Sequence, residues 1–366
     1  MTVTRGYSSA KSALGDLGFT LLELMIALAI GIVVLGGLVS FFMNASRSHA
    51  ELKKTAEHTS NGSMGMSIMT EDINHAGYFG EFYNLPFYAV AMTDPCLLTA
   101  AGIYDGLEFP IQGYDAPAVS PLTCLSDANF VPGTDILVVR HAEFLPLAPT
   151  DIPTTGEIYV QAINMTAEVQ IGVAGAAIGT TKKANGAVAT LFKKDGVTAA
   201  DIRKLSVKIY FIAPCSVPAD GSETCTGNLD DGGSPIPTLK RLDLTSVSGV
   251  PGWRISPLVE GIRNLQFDYG IDNAPAVRNA ITQHFGDGSP DSYVTAPSFQ
   301  NWHHVVSVRI NFIATSSQLT TGYVDTKTYN MGAAGTVGPF NDAYKKHLFA
   351  GTARLNDVSG RREIPQ

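Results

Sequence analysis

An abrupt change of character at Gly18 limits this chain more than any other feature. Residues 1–18 are small and polar, with Arg5 and Lys11 against a single acid, Asp16. From Phe19 to Met43 the chain then reads FTLLELMIALAIGIVVLGGLVSFFM. About 25 residues at ~1.5 Å each make a helix long enough to cross a hydrocarbon core. A secretory signal peptide has a shorter apolar stretch that ends at a small-residue cleavage site. Here the small residue, Gly18, precedes the run. Glu23 stands out within it, because a carboxylate in a membrane span is costly unless neutralised or paired. It can snorkel to the interface. If the chain is cut after Gly18, it can instead pair with the α-amine freed on Phe19, of its own chain or of a neighbour.

After Met43 the sequence turns polar but stays helix-compatible. Leu52, Ala56, Met66, Met69 and Ile73 form a sparse apolar stripe over residues 44–78, whose C-terminal half is expected to pack on the chain's own body. Asn61-Gly62-Ser63 and Gly65 predict a local break, and Gly77 and Gly80 supply stop signals.

Beyond about residue 79 the pattern is one of short strands between turns, in keeping with 36 Gly and 20 Pro. Strands are expected at 136–140, 157–161, 205–213, 239–244, 264–269 and 305–313. Alternation places Leu205, Val207, Ile209 and Phe211 on one face and Ser206, Lys208 and Tyr210 on the other, as in a half-buried antiparallel strand. Residues 162–200, rich in Ala, Gly and Thr, form a candidate insertion. The fold class that follows is α+β: a long N-terminal helix, half of it transmembrane, packed on a large and mostly antiparallel β domain over 79–366.

The net charge is -8, and no block of Lys or Arg follows the first helix, which argues against nucleic acid as a partner. The four cysteines, Cys96, Cys124, Cys215 and Cys225, contain no CxxC pair and no zinc-finger histidine spacing. In an exported chain an even count favours disulfides. Three connectivities exist, of which Cys96–Cys124 with Cys215–Cys225 is the simplest.

Gly18-Phe19-Thr20-Leu21-Leu22-Glu23 resembles the prepilin peptidase site of type IV pilins and type II secretion pseudopilins. The resemblance implies a leader over 1–18 and cleavage after Gly18. It further implies N-methylation of Phe19, an assembly role for Glu23, and a filament-core helix over 19–43. Many major pilins have a proline where this chain has Ser40, with Gly36 and Gly37 nearby. A second resemblance lies further on. Leu258–Asp272, Pro290–Val294 and Trp302–Ile310 are similar to segments of the PilW group of minor pilins. So are His347–Asn356, as a C-terminal strand, and Glu71–Tyr78, as a helix end. This implies a structural subunit that helps to initiate pilus assembly at or near the tip. Its implied partners are prepilin peptidase, other minor and major pilins, and a PilY-type tip adhesin. The implied location is the bacterial inner membrane with a periplasmic body, and after assembly the extracellular pilus. The alternatives are a J-type pseudopilin of a type II secretion system and, from a different class, a membrane-anchored enzyme or binding module.

No Gly-x-Ser-x-Gly, Walker or zincin motif is present, so no enzymatic role is expected. Relatives in the PilW group often carry an Asp-rich, calcium-like stretch near 270–291. Here Asp272, Asp287 and Asp291 are the candidate calcium ligands, although Asp287-Gly-Ser-Pro-Asp291 misses the D-x-[DN]-x-[DN]-G spacing; no other cofactor is expected. His303 and His304 are expected on opposite sides of a strand start, and Asp230-Asp231-Gly232-Gly233 as a turn.

Overall fold

The computed structural model describes residues 20–82, 91–147, 151–164, 166–173, 191–193, 195–273 and 286–363. Gly18 and Phe19 lie outside them, as do residues 165, 174–190 and 194 of the candidate insertion. The chain divides into two compact units, Met1–Lys53 and Lys54–Gln366.

A single helix, α1 (Leu21–Asn74), begins in the first unit and ends in the second. In the first unit its large apolar side chains from Leu21 to Met43 are exposed. In the second unit its buried positions are His58, Gly62, Gly65, Met69, Asp72 and Ile73, one face at three- and four-residue spacing. The helix is continuous through Asn61–Gly65, contrary to the expected break. Those glycines are contact points: a Cβ on Gly62 would lie 2.1 Å from Cε2 of Phe349, and one on Gly65 would touch Leu239, Phe312 and Val259. Packing outweighs the propensity cost of glycine, about 1 kcal/mol per residue. Leu52 and Ala56, placed on the stripe by sequence, are exposed. Gly77, at φ +82°, ends the turn beyond the helix, and its N–H donates to the Arg140 carbonyl.

A short helix, α2 (Ala100–Gly106), and fourteen strands follow among the described residues. The first sheet holds β1 (Glu81–Phe82), β2 (Ile111–Tyr114), β3 (Ile136–Pro146), β4 (Ile158–Asn164), β5 (Thr166–Ile171), β6 (Ile202–Ala213), β7 (Thr238–Val247) and β8 (Val250–Glu260). The second holds β9 (Ile262–Ile271), β10 (Ser292–Val294), β11 (Val305–Thr315) and β14 (Lys346–Arg354), in the order β10-β9-β11-β14. Between them in sequence, β12 (Tyr329–Asn330) and β13 (Thr336–Val337) form a separate two-stranded ribbon. All pairings are antiparallel except the short β1–β4 contact.

β8 lies outside the expected strands and carries two prolines, Pro251 and Pro257. Its only strand partner among the described residues is β7, and an edge strand tolerates missing donors on its open side. The β7–β8 hairpin turns through Ser248 and Gly249 at φ +53° and +82°, the two positive angles that a two-residue type I′ turn requires.

Two apolar cores lie on opposite faces of the first sheet. One joins Met69 and Ile73 of α1 to Leu137, Val139, Tyr210 and Ile212 and to the second sheet through Leu265, Phe267, Ile310 and Phe312. The other joins Ile136, Val138, Leu205, Val207, Ile209 and Phe211 to α2 and to the segment carrying Leu122, Leu125 and Phe130. The half-buried expectation for β6 holds from Leu205 to Ile209, where buried and partly exposed residues alternate, and fails beyond it. Its C-terminal residues Tyr210 to Ala213 are all buried, because α1 and the second sheet cover the face that alternation alone would leave to water.

Candidate assembly site

At its first residue the helix is capped by its own sequence. Thr20 Oγ1 accepts from the Glu23 backbone N–H at 3.3 Å, and Glu23 Oε2 accepts from Thr20 N at 3.0 Å and from Thr20 Oγ1 at 3.0 Å. Thr20-Leu21-Leu22-Glu23 is thus a reciprocal capping box. The T-x-x-E spacing carried that signal, but the apolar run drew attention to Glu23 only as a charge. The expected partner of that charge, the Phe19 amine, lies outside the described residues.

The next twenty-odd residues are a surface that water cannot comfortably cover. Sixteen large apolar side chains between Leu21 and Met43 are exposed. At ~1.5–3 kcal/mol for each such side chain removed from water, covering them is worth tens of kcal/mol. Among the described residues this is the one helix long and apolar enough to cross a membrane by length and composition, and its apolar surface fits lipid or the helices of other subunits.

Asp72 fastens the other end of the helix to the body. Its Oδ1 lies 2.7 Å from Lys208 Nζ, its Oδ2 lies 3.6 Å from an Arg241 guanidinium nitrogen, and the Tyr210 hydroxyl donates to it. Arg241 pairs in turn with Asp243. Burial and the neighbouring carboxylate push the Tyr210 hydroxyl well above its usual range, which keeps it a donor. Sequence reasoning missed this role for Asp72. The available signal was an acid at i+3 from Met69 on the otherwise apolar stripe.

Two disulfides brace the body, Cys96–Cys124 and Cys215–Cys225. Asp230 lies within 4.8 Å of both sulfurs of the second, but its carboxylate accepts from Ala219 N, Thr226 N, Thr226 Oγ1 and Gly227 N. Asp231 likewise accepts from Ser216, Val217 and Ile236 N–H groups. The two aspartates organise the 214–236 loop around the turn at Gly232-Gly233. A metal is a poor fit there, because the sulfurs are bonded to each other and the carboxylate already has its donors.

The candidate calcium residues do not converge among the described residues. Asp272 is buried, its Oδ2 lying 3.1 Å from Arg362 Nε and accepting from Gly288 N–H at 3.0 Å. Asp287 and Asp291 are exposed and accept from the backbone N–H groups of Ser289 and Asn273. The guanidinium of Arg362 thus occupies the position beside Asp272 that a cation would take. His303 and His304 also depart from expectation. They end a 3-10 helix (Phe299–His304) rather than start a strand, and their ring centroids lie 4.0 Å apart. Burial and the adjacent Arg362 push both imidazoles down to about 4, with His304 adding to the shift at His303.

A capped apolar helix with its first half exposed and its last turns buried in an antiparallel body is the arrangement of a chain that anchors by its N-terminal end. The comparisons are more specific. The prokaryotic N-terminal methylation motif matches residues 15–39. The family of type IV pilus-assembly protein W (PilW) matches residues 225–357, which span β7, β8 and the whole second sheet. The chain therefore carries a PilW domain behind a prepilin methylation motif. No curated protein and no solved structure matches it.

Proposed function

We propose that this chain is a minor pilin, a structural subunit that helps to initiate type IV pilus assembly and sits at or near the pilus tip with other minor pilins. The observation that carries the reading is the division of α1. Its N-terminal part, within the methylation motif, offers an exposed apolar surface, while its C-terminal part is buried against the β body that carries the PilW domain. Prepilin peptidase cuts after Gly18, Phe19 is methylated, and the helix holds the subunit in the inner membrane until its apolar surface passes to neighbouring helices. Loops of the body then contact other pilins and a PilY-type tip protein.

Mass spectrometry of the mature chain tests the processing step, the expected N-terminus being methylated Phe19. An uncut chain, or one cut elsewhere, overturns the reading. Pilus counts in a strain lacking the gene test the assembly step, with few or no pili expected and full piliation counting against initiation.

A further inference from the structure

Lys240 occupies a position that β7 should give to an apolar residue. Leu242 and Leu244, the next residues on the same face of the strand, lie in the second core with Cys215 and Cys225. Lys240 is 2% exposed, and its Nζ lies 3.9 Å from each sulfur of the Cys215–Cys225 disulfide. A buried ammonium is costly unless a strong acceptor faces it, and the sulfur of a disulfide is a weak one. The nearby acids are Asp230, Asp231 and Glu223. Asp230 and Asp231 are engaged with the N–H and O–H groups of their own loop, and the Glu223 side chain is exposed.

The electrostatics change once the disulfide opens. A thiolate on either cysteine becomes the strong acceptor that the ammonium lacks, and a neighbouring lysine lowers a thiol's pKa from about 8.5. Stabilising the reduced form makes a disulfide easier to reduce. The Asp230 carboxylate, within 4.8 Å of the sulfurs, acts in the opposite sense. The carboxylate's charge, however, is spread over the four donors it accepts from, whereas the ammonium has only the two sulfurs within hydrogen-bonding reach among the described residues. The loop also has a second closure that does not involve sulfur. Asp230 and Asp231 tie residues 216–219, 226–227 and 236 together, and Asn129 Oδ1 accepts from the Cys225 N–H at 2.8 Å. Breaking the S–S bond therefore leaves the sulfurs and Lys240 in place.

From this geometry we infer that Cys215–Cys225 is an exchangeable disulfide, with Lys240 as the positioning residue that makes it open more readily than Cys96–Cys124. The partner class is a small thiol or a dithiol oxidoreductase. Its thiolate attacks Cys225, which is 6% exposed while Cys215 is fully buried. A mixed disulfide forms at Cys225 as the S–S bond breaks, and the electron pair leaves on Cys215 as a thiolate facing Lys240. A second thiolate of the partner then attacks the mixed disulfide, releasing Cys225 as a thiol after protonation and leaving the partner oxidised. Cys96–Cys124 is built differently: the sulfur of Cys96 is contacted by its partner's backbone N–H at 3.1 Å.

The test is equilibration of the full-length chain in detergent across reduced and oxidised dithiothreitol mixtures, followed by acid quench, alkylation and peptide mass spectrometry. Cys215–Cys225 is expected to open at a less reducing ratio than Cys96–Cys124. Lys240→Met should lower its opening constant by about tenfold, ~30 mV for a two-electron couple. Lys240→Arg should stay near the wild type, and Cys96–Cys124 should open alike in all three proteins. An unchanged opening constant in the Met variant, or opening of Cys96–Cys124 first, overturns the inference. Should the Met variant not fold, the wild type still decides. The pH dependence of alkylation in the freshly reduced protein must report a thiol deprotonating well below 8.5, and an ordinary thiol profile overturns the inference equally.

Discussion

The ring of Phe349 lies where the side chain of residue 62 would be: a Cβ on Gly62 would stand 2.1 Å from Cε2 and 2.2 Å from Cζ of that ring. Phe349 also stacks on Phe312 at 5.3 Å with an interplanar angle of 13°, so it has little freedom to move aside. Gly62 thereby lets α1 approach β14 closely enough to bury Met69 about two turns on and Ile73 about three.

Gly62→Ala is accordingly expected to lower the stability of the body by about 1–3 kcal/mol through overpacking, despite the helix propensity it gains. Thermal unfolding of the detergent-solubilised chain measures this. In a Phe349→Ala background the same substitution should become neutral or stabilising. Additive effects in that double-mutant cycle would show that the close approach is not what Gly62 provides.

Asp72 is the second fastening. Replacing it with Ala leaves the Lys208 ammonium and the Tyr210 hydroxyl without their carboxylate in a mostly buried site, a change that costs about 3 kcal/mol in comparable pairs. Asp72→Asn should cost less, since an amide oxygen still accepts from Tyr210. Denaturant unfolding of the two variants gives the order, and equal losses would assign the effect to shape rather than charge.

These two contacts show what was legible in the sequence and what was not. The apolar run, the antiparallel body and the strands around Ile136, Leu205, Asn264 and Val305 follow from period and composition, which are local. The role of Gly62 depends on Phe349, far away in sequence, so locally the glycine reads only as a helix breaker. β8, with Pro251 and Pro257, is no more legible locally, because a proline's cost depends on whether its strand lies at an edge. The spacing Thr20-x-x-Glu23 was legible and was passed over. Asp272 is a calcium candidate only through its Asp-rich neighbourhood, and its contact with Arg362, ninety residues away, is invisible locally.

Acid titration should expose two aspartates of opposite sign. Burial pushes Asp230 up, but the hydrogen bonds from Thr226, Gly227 and Ala219 outweigh it and hold it at about 2. Its folded value is below the unfolded one of about 4, so its contribution is present above pH 4 and lost as pH falls towards 2. Asp135 is raised to about 7 by burial, which the N–H groups of Phe267 and Ala116 only partly offset, with Asp115 and Asp268 adding to the rise. Its contribution is fully present below about pH 4 and is lost as pH rises through 7. Melting temperature against pH in Asp230→Asn should show a shallower acid limb. In Asp135→Asn the slope between pH 4 and 7 should turn more positive. Unchanged limbs would remove either assignment.

Glu23 can serve the helix as a cap or the filament as a charge, and two substitutions separate these roles. Glu23→Gln keeps an oxygen able to accept from Thr20 N–H, so the capping box survives while the charge is lost. Thr20→Val removes the hydroxyl that accepts from Glu23 N–H, at a cost of about 1 kcal/mol to the first turn, and leaves the carboxylate intact. If assembly depends on pairing with an N-terminal amine, Glu23→Gln should reduce pilus number as severely as Glu23→Ala. Thr20→Val should then stay within about twofold of the wild type. Membrane fractionation should recover all three variants with the inner membrane, because the apolar surface from Leu21 to Met43 is unchanged. Full piliation with Glu23→Gln and loss with Thr20→Val would reverse the assignment and make this carboxylate a cap.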